Sequence, residues 1–297
     1  MNNLRLNKLR EPLIAYAFLL PSLIGLVVFT IYPLIYSFYL SFQRWDMLSD
    51  MRFIGLRNYE RLIDDSDFYK IMSNTGIYTV SVVLITLVLA LLLAILLNQK
   101  LRARAIFRTT FFLPVVMSLT ALSAVWLWIY DPEFGLANWI LRSIGLPTSR
   151  WMNSPQSALT AVIIMMIWQT LGYDIIIFLA GLTNIRRDLY EAASLDGAGR
   201  WALFWNVTLP LLSPTLVFLI ITSTIQAFRV FDPVYVMSGG LGGPANSTAT
   251  VVFYLFRQAF YNLEAGYASA IALVVVAIAM AFTAIQLYLS RRWVTYE

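Results

Sequence analysis

The chain has 297 residues, of which 60% are apolar and only 12% charged, with a net charge of +5 and a mean hydropathy of +0.72. So few charges, bunched between long uncharged tracts, cannot clothe a soluble domain of this length; they exclude a soluble enzyme, a disordered chain and a disulfide-stapled secreted domain. Neither Cys nor His occurs, which removes thiolate chemistry, Ser-His-Asp triads, HExxH zinc sites, haem ligation and imidazole proton relays.

Charge-free tracts run 12–43, 71–99, 109–130, 151–173, 201–228, 233–256 and 265–290. A helix needs about 20 apolar residues to cross about 30 Å of hydrocarbon. Six tracts qualify, which predicts an all-α polytopic bundle with spans at about 13–41, 72–98, 109–130, 158–183, 207–230 and 266–290. The first is too long for a signal-peptide core and has no obvious small-residue cleavage site, so it reads as a retained helix. The fourth is interrupted by Asp174 and resumes at Ile175. Tract 233–256 reads as a loop, because Ser238 to Ser247 is rich in glycine and would leave backbone groups unpaired in lipid. Pro21, Pro33 and Pro114 are expected to kink helices. Trp126, Trp128 and Tyr130, at the end of the third span, read as an interfacial belt.

Orientation follows from the Lys and Arg distribution. One side carries twelve cations against five anions: Arg5, Lys8 and Arg10 before the first span, Lys100, Arg102, Arg104 and Arg108 after the second, Arg186, Arg187 and Arg200 after the fourth, and Arg291 and Arg292 at the end. The other side carries nine cations and ten anions. Both termini are therefore expected in the cytoplasm, with outer loops at about 44–70, 131–157 and 230–264.

The loop 185–209 joins the fourth and fifth spans. Asp188 to Leu195 reads as a short helix with an acidic first turn, ended by Gly197 and Gly199. Its mixture of apolar and acidic residues suits either a groove on a soluble partner or the lipid interface. Glu191 is a carboxylate free to pair with a partner's cation, Ala192 and Ala193 permit close approach, and Asp196 caps or pairs locally. No GxxxxGK[ST] sequence occurs, so no ATP-cradling loop is expected in this chain, and the glycines at 239–243 read as a loop hinge.

In order along the loop come Glu191-Ala192-Ala193, Asp196-Gly197-Ala198 and Leu209-Pro210. This resembles the EAA loop of ABC importer permeases. Gly55-Leu56-Arg57-Asn58-Tyr59, Asn74-Thr75, Arg108 with Leu113-Pro114, and Phe231-Asp232-Pro233 followed by Gly242-Gly243-Pro244 extend the resemblance over nearly the whole chain. The subfamily resembled is that of sugar and glycerol-3-phosphate importers, on the side lacking a separate N-terminal insertion. The resemblance implies a single type I importer transmembrane domain over 1–297. It implies a related second permease, so that the pair is a heterodimer, two cytoplasmic ATPase subunits that bind ATP and Mg, and an extracytoplasmic solute-binding protein. No cofactor is expected in this chain, and its setting is the bacterial cytoplasmic membrane, in contact with lipid and not with nucleic acid. Tyr190, Glu191, Ala192, Ala193, Asp196, Gly197 and Ala198 are the implied ATPase-coupling residues.

Ionisable residues inside a membrane are costly and mark function by default. Asp174 is flanked by Trp168, Gln169 and Tyr173, and span 5 adds Gln226, Arg229 and Asp232 at a spacing of three. These supply the rings, amides and charges that bind polyhydroxylated solutes. In maltose-type relatives this region contacts sugar, and Tyr173 matches a contact position while Gln169 lies one turn away. Arg229 is expected to pair with Asp174 or Asp232, or to meet an anionic solute, and helix–helix hydrogen bonding is the competing role for all of these residues. Ser223 and Thr224 are expected to bond to backbone. An intramembrane enzyme with Asp174 as base lacks a second clustered carboxylate, and a channel lacks a filter motif or regularly charged helix.

Overall fold

The computed structural model describes residue 16 and residues 18–99 and 104–293. Arg5, Lys8, Arg10, Glu11, Lys100, Arg102 and Glu297, and the side chains of Arg104 and Arg292, lie outside the described residues.

The elements run in chain order as α1 (Phe18–Leu40), β1 (Gln43–Arg44), β2 (Arg52–Phe53), α2 (Arg57–Asp64) and α3 (Ser66–Asn98). Next come α4 (Arg104–Val116), α5 (Leu119–Ile129), α6 (Leu136–Ser143), α7 (Ala158–Asn184), α8 (Arg187–Leu195) and α9 (Arg200–Leu211). The chain continues through α10 (Ser213–Phe228), α11 (Asp232–Met237), α12 (Val251–Phe256) and α13 (Ala265–Trp293). Among the described residues, four helices are each long and apolar enough to cross a bilayer, and two bent pairs raise that to six when each pair counts as one span. The chain is thus an all-α polytopic membrane protein. It divides into two compact units: the described residues up to Asp64 with Leu255–Val274, and Asp65–Tyr254 with those from Val275 onward.

In the first unit, α1 contains a π-helical turn, Val27–Ile31, just before Pro33. Proline lacks the N–H that would continue the regular ladder. Strands β1 and β2 form a two-stranded antiparallel ribbon with Gln43 opposite Phe53 and Arg44 opposite Arg52. The buried Asn58 holds it by donating to the carbonyls of Ser41 (2.8 Å) and Gln43 (2.9 Å). At Gly266 any side chain would collide with the Gln43 carbonyl.

In the second unit, α3 packed along α7 forms the centre. Small residues on both helices, Ala90 and Ala94 on α3 and Ala158 and Ala161 on α7, are fully buried. Asp65 caps the start of α3, accepting from the backbone of Asp67 (3.0 Å) and Phe68 (3.2 Å). Helix α4 crosses α7 at Gly172, where a side chain would strike the Phe111 carbonyl.

Three local readings from the sequence change. The tract 109–130 is two helices, α4 and α5, bent by 102° around Ser118. Pro114 within α4 leaves the carbonyl one turn before it without its helical donor, which weakens the last turn. The fifth span also breaks, with α9 and α10 bent by 62° at Leu212 between Pro210 and Pro214. Helix α7 runs through Asp174 without interruption, in keeping with the single span expected at about 158–183. Within 233–256, two short helices, α11 and α12, flank a turn in which Gly239, Gly240, Gly242 and Gly243 all have positive φ. The segment that follows this turn is held to α3. Lys70 Nζ donates to the Ala245 carbonyl (2.7 Å), Asn74 to those of Asn246 and Ala249, and the Val251 N–H to Thr75 Oγ1 (3.0 Å).

Candidate functional site

The second unit encloses a cavity of about 370 Å³ between α3, α4, α5, α7 and the end of α10. Helix α7 presents Gln169, Tyr173 and Asp174 to it, and the α10–α11 corner presents Gln226, Arg229 and Asp232. Six of the seven residues singled out in the spans therefore share one cavity. Trp168 is not in its lining: its ring packs against Trp126, with centroids 5.5 Å apart. One residue along from Gln169, it faces another direction on the helix.

The three charges are set differently from expectation. Of the alternatives open to Arg229, the pairing with Asp174 or Asp232 does not form: among the described residues no carboxylate lies within 4.0 Å of it. Residues 226, 229 and 232 do not continue one helical face either. Helix α10 ends at Phe228, Arg229 caps it through bonds from its N–H to the Gln226 and Ala227 carbonyls, and Asp232 opens α11. A cation at a helix C-terminus and an anion at a helix N-terminus both suit the local dipoles. Asp174 is only 2% exposed, and among the described residues no hydrogen bond or ion pair reaches its carboxylate. Thr224 bonds to the Ile220 carbonyl (2.6 Å), as expected, whereas Ser223 lines the cavity.

Helix α3 adds residues that the sequence reading missed. Tyr78 is fully buried, lines the cavity, and among the described residues its hydroxyl has no partner. Thr86 lies on the same wall, with Oγ1 3.5 Å from that of Thr170 on α7. The signal was a stripe at a spacing of four, Tyr78, Val82 and Thr86, inside a tract that reads otherwise as plain apolar helix. Hydroxyls, amides, two carboxylates and a guanidinium thus converge in a space within the range of about 300–1,000 Å³ typical of small-molecule sites.

A second feature is α8, which has no buried residue and carries Tyr190, Glu191, Ala192 and Ala193. The Arg186–Asp188 ion pair closes its first turn, and the guanidinium holds the Asp188 carboxyl below the usual carboxylate range. Its end is a Schellman motif. The Gly197 N–H bonds to the Ser194 carbonyl (3.1 Å) and the Ala198 N–H to that of Ala193 (3.0 Å), with Gly197 at φ +87° and Asp196 in the C-cap position. Gly199 does not share the left-handed role expected of it: at φ −75° it is the N-cap of α9. Glu191 is exposed, as is Leu195 at 90%. Four residues apart on one helix, the two share a face.

Residues 86–295 match the family described as binding-protein-dependent transport system inner membrane component. The chain is 37% identical over 291 residues to a probable ABC transporter permease protein of Bacillus subtilis, YesP, covering 97% of this chain and 94% of that one. It is 36% identical over 287 residues to the trehalose/maltose transport system permease protein MalF of Thermococcus litoralis, covering 96% of each. In fold it is similar to a chain of a bacterial alginate ABC transporter, solved in complex with an alginate pentasaccharide-bound periplasmic protein. The TM-score is 0.83 at 23% identity, over 96% of each chain.

Proposed function

Because the chain belongs to the family of binding-protein-dependent transport system inner membrane components, and is thus a membrane permease subunit rather than an enzyme, we propose that it carries a sugar or related polyol or glycosyl solute. The observation that carries this reading is the convergence of Tyr173, Gln169, Asp174, Gln226, Arg229 and Asp232 on one intramembrane cavity. A tyrosine ring offers a stacking face, and amides and carboxylates match the hydroxyls of a polyol. The trehalose/maltose permease among the relatives supports the same solute class.

The proposed assembly pairs this chain with a second, related permease, two cytoplasmic ATPase subunits and an extracytoplasmic binding protein. Both termini lie in the cytoplasm, and the chain forms one transmembrane domain whose coupling loop is 185–209. ATP and Mg bind to the ATPase subunits. Helix α8 docks on an ATPase through Tyr190, Glu191, Ala192 and Ala193, and the turn Asp196-Gly197-Ala198 sets its exit. ATP binds the closed ATPase dimer better than the open one, which biases the cavity to face outward; release turns it inward. The test is uptake into proteoliposomes holding the assembled complex, with radiolabelled disaccharides, polyols and phosphate esters. Saturable, ATP-dependent uptake of one sugar class is expected. Uptake of none, with the ATPase active, overturns the solute assignment.

A second reading has one specific observation behind it. Arg229 faces the cavity without a carboxylate within 4.0 Å among the described residues, which suits an anionic solute such as glycerol-3-phosphate or another phosphorylated polyol. Competition of the uptake by phosphate esters but not by neutral sugars selects it.

A further inference from the structure

The first unit carries a separate polar basin of about 760 Å³, built by the β1–β2 ribbon, the start of α2 and the start of α13. Four arginines line it, Arg44, Arg52, Arg57 and Arg61, with Asp46, Asp50 and Glu264 as the anions. Two of those anions are already engaged. Glu264 takes Arg61 (2.8 Å), which also lies over the Tyr267 ring at 4.1 Å. Asp46 turns its carboxylate into its own loop, accepting from the Leu48 N–H (3.0 Å), the Ser49 N–H (2.7 Å) and the Ser49 hydroxyl (2.9 Å).

The other three arginines have no carboxylate within 4.0 Å among the described residues, and Asp50 alone offsets them in the basin. Two of them face each other directly, since the ribbon register sets Arg44 against Arg52. Directly opposed residues of an antiparallel pair share a face, and like charges there are destabilising. The scaffold nevertheless enforces the register. Asn58 grips the Ser41 and Gln43 carbonyls, Ile54 bonds to the Phe42 carbonyl (2.9 Å), and Gly266 leaves no room between itself and Gln43. An arrangement that holds like charges together in a built basin is stabilised when an anion sits between them. Trp45 lies beside the arginines, and Trp and Arg are among the residue types that dominate protein–protein hot spots.

We infer that this basin is the surface on which the extracytoplasmic solute-binding protein docks, through surface carboxylates that bridge Arg44, Arg52 and Arg57. The inference deepens the functional reading above and rests on it, including its orientation, which sets the ribbon in the first outer loop.

The experiment titrates the binding protein onto the complete transporter in nanodiscs, reading affinity, its salt dependence and the ATPase rate without binding protein. For the triple variant Arg44→Ala, Arg52→Ala, Arg57→Ala the expected result is at least about a tenfold loss of affinity and a flatter salt dependence. The ATPase rate without binding protein stays at the wild-type value. Arg52→Lys, which keeps the charge and the ribbon, retains most of the affinity. Unchanged affinity and salt slope in the triple variant, with normal wild-type binding, overturn the docking surface alone. Failure of the wild-type complex to bind any solute-binding protein overturns the functional reading with it. A deficit that vanishes when phosphatidylglycerol in the nanodisc is replaced by phosphatidylcholine assigns the basin to a lipid headgroup and also overturns the inference.

Discussion

The Tyr190 hydroxyl lies 3.1 Å from Thr208 Oγ1, joining the exposed helix α8 to the π-helical turn that leads into the fifth span. Thr208 is buried while nothing on α8 is, so this bond ties the exposed helix to a buried residue of the turn behind it. Tyr190→Phe keeps the ring and deletes the bond, a net loss of about 0.5–1.5 kcal/mol. Amide exchange across 187–195 is expected to quicken several-fold, with assembly unchanged. Unaltered exchange would show that the contact does not hold the helix.

Gly197 is the position at the end of α8 that a side chain penalises through the backbone alone, because its φ is +87° with open space around it. Gly197→Ala costs about 1–2 kcal/mol in the left-handed conformation and loosens the Schellman turn. Glu191→Ala removes the exposed carboxylate without touching the fold. Both variants are expected to assemble with the ATPases yet hydrolyse ATP with little uptake. Wild-type uptake in both would sink the coupling assignment.

Gly172 tests the packing behind the cavity. Gly172→Ala drives a methyl into the Phe111 carbonyl, backbone that cannot rotate away. A cost of about 1–3 kcal/mol is expected from overpacking, seen as a lower melting temperature of the detergent-solubilised complex. Gly76 is the control, since a methyl group there would have no neighbour within 4 Å. Gly76→Ala is expected to leave the melting temperature unchanged or raise it.

Asp174 and Arg229 have no mutual ion pair among the described residues, so removing one does not orphan the other. Asp174→Asn and Arg229→Gln are therefore expected to raise the KM for uptake independently, with additive free energies and little change in melting temperature. A strong non-additive coupling in the double variant would reveal a pair and contradict the separation.

Asp46 supplies a pH dependence of known sign. Backbone donors at Ser49 and Leu48 hold its carboxyl at about 2, below the ordinary 3.8. A depressed carboxylate stabilises its turn fully above the unfolded value and loses that contribution as pH falls through the folded one. Exchange of the Ser49 amide, corrected for the intrinsic rate, is expected to lose protection between about pH 4 and pH 2, and Asp46→Asn to abolish that transition.

How much was legible in the sequence differs from region to region. The helix α8 and its turn are local: Ser194, Gly197 and Ala198 lie within a few residues of each other, so turn chemistry announced them. Gly199 misled because glycine permits the left-handed conformation without requiring it. The apolar tracts announced where helices lie but not where they break, since a proline marks a lost donor without giving the angle of 102° or 62° that packing then imposes.

What the sequence determined by itself is the class of the protein, a polytopic helical bundle, and the local form of α8 with its turn, because charge spacing, apolar run length and turn chemistry act residue by residue along the chain. Only the tertiary structure decided which side chains share a space. It brought Tyr78 from α3 to Asp174 on α7 and Arg229 after α10, turned Trp168 away to Trp126, and set Arg44 opposite Arg52. Those juxtapositions depend on helix crossings and strand register, which arise from close packing at positions such as Gly172 and Gly266, between residues far apart in the chain.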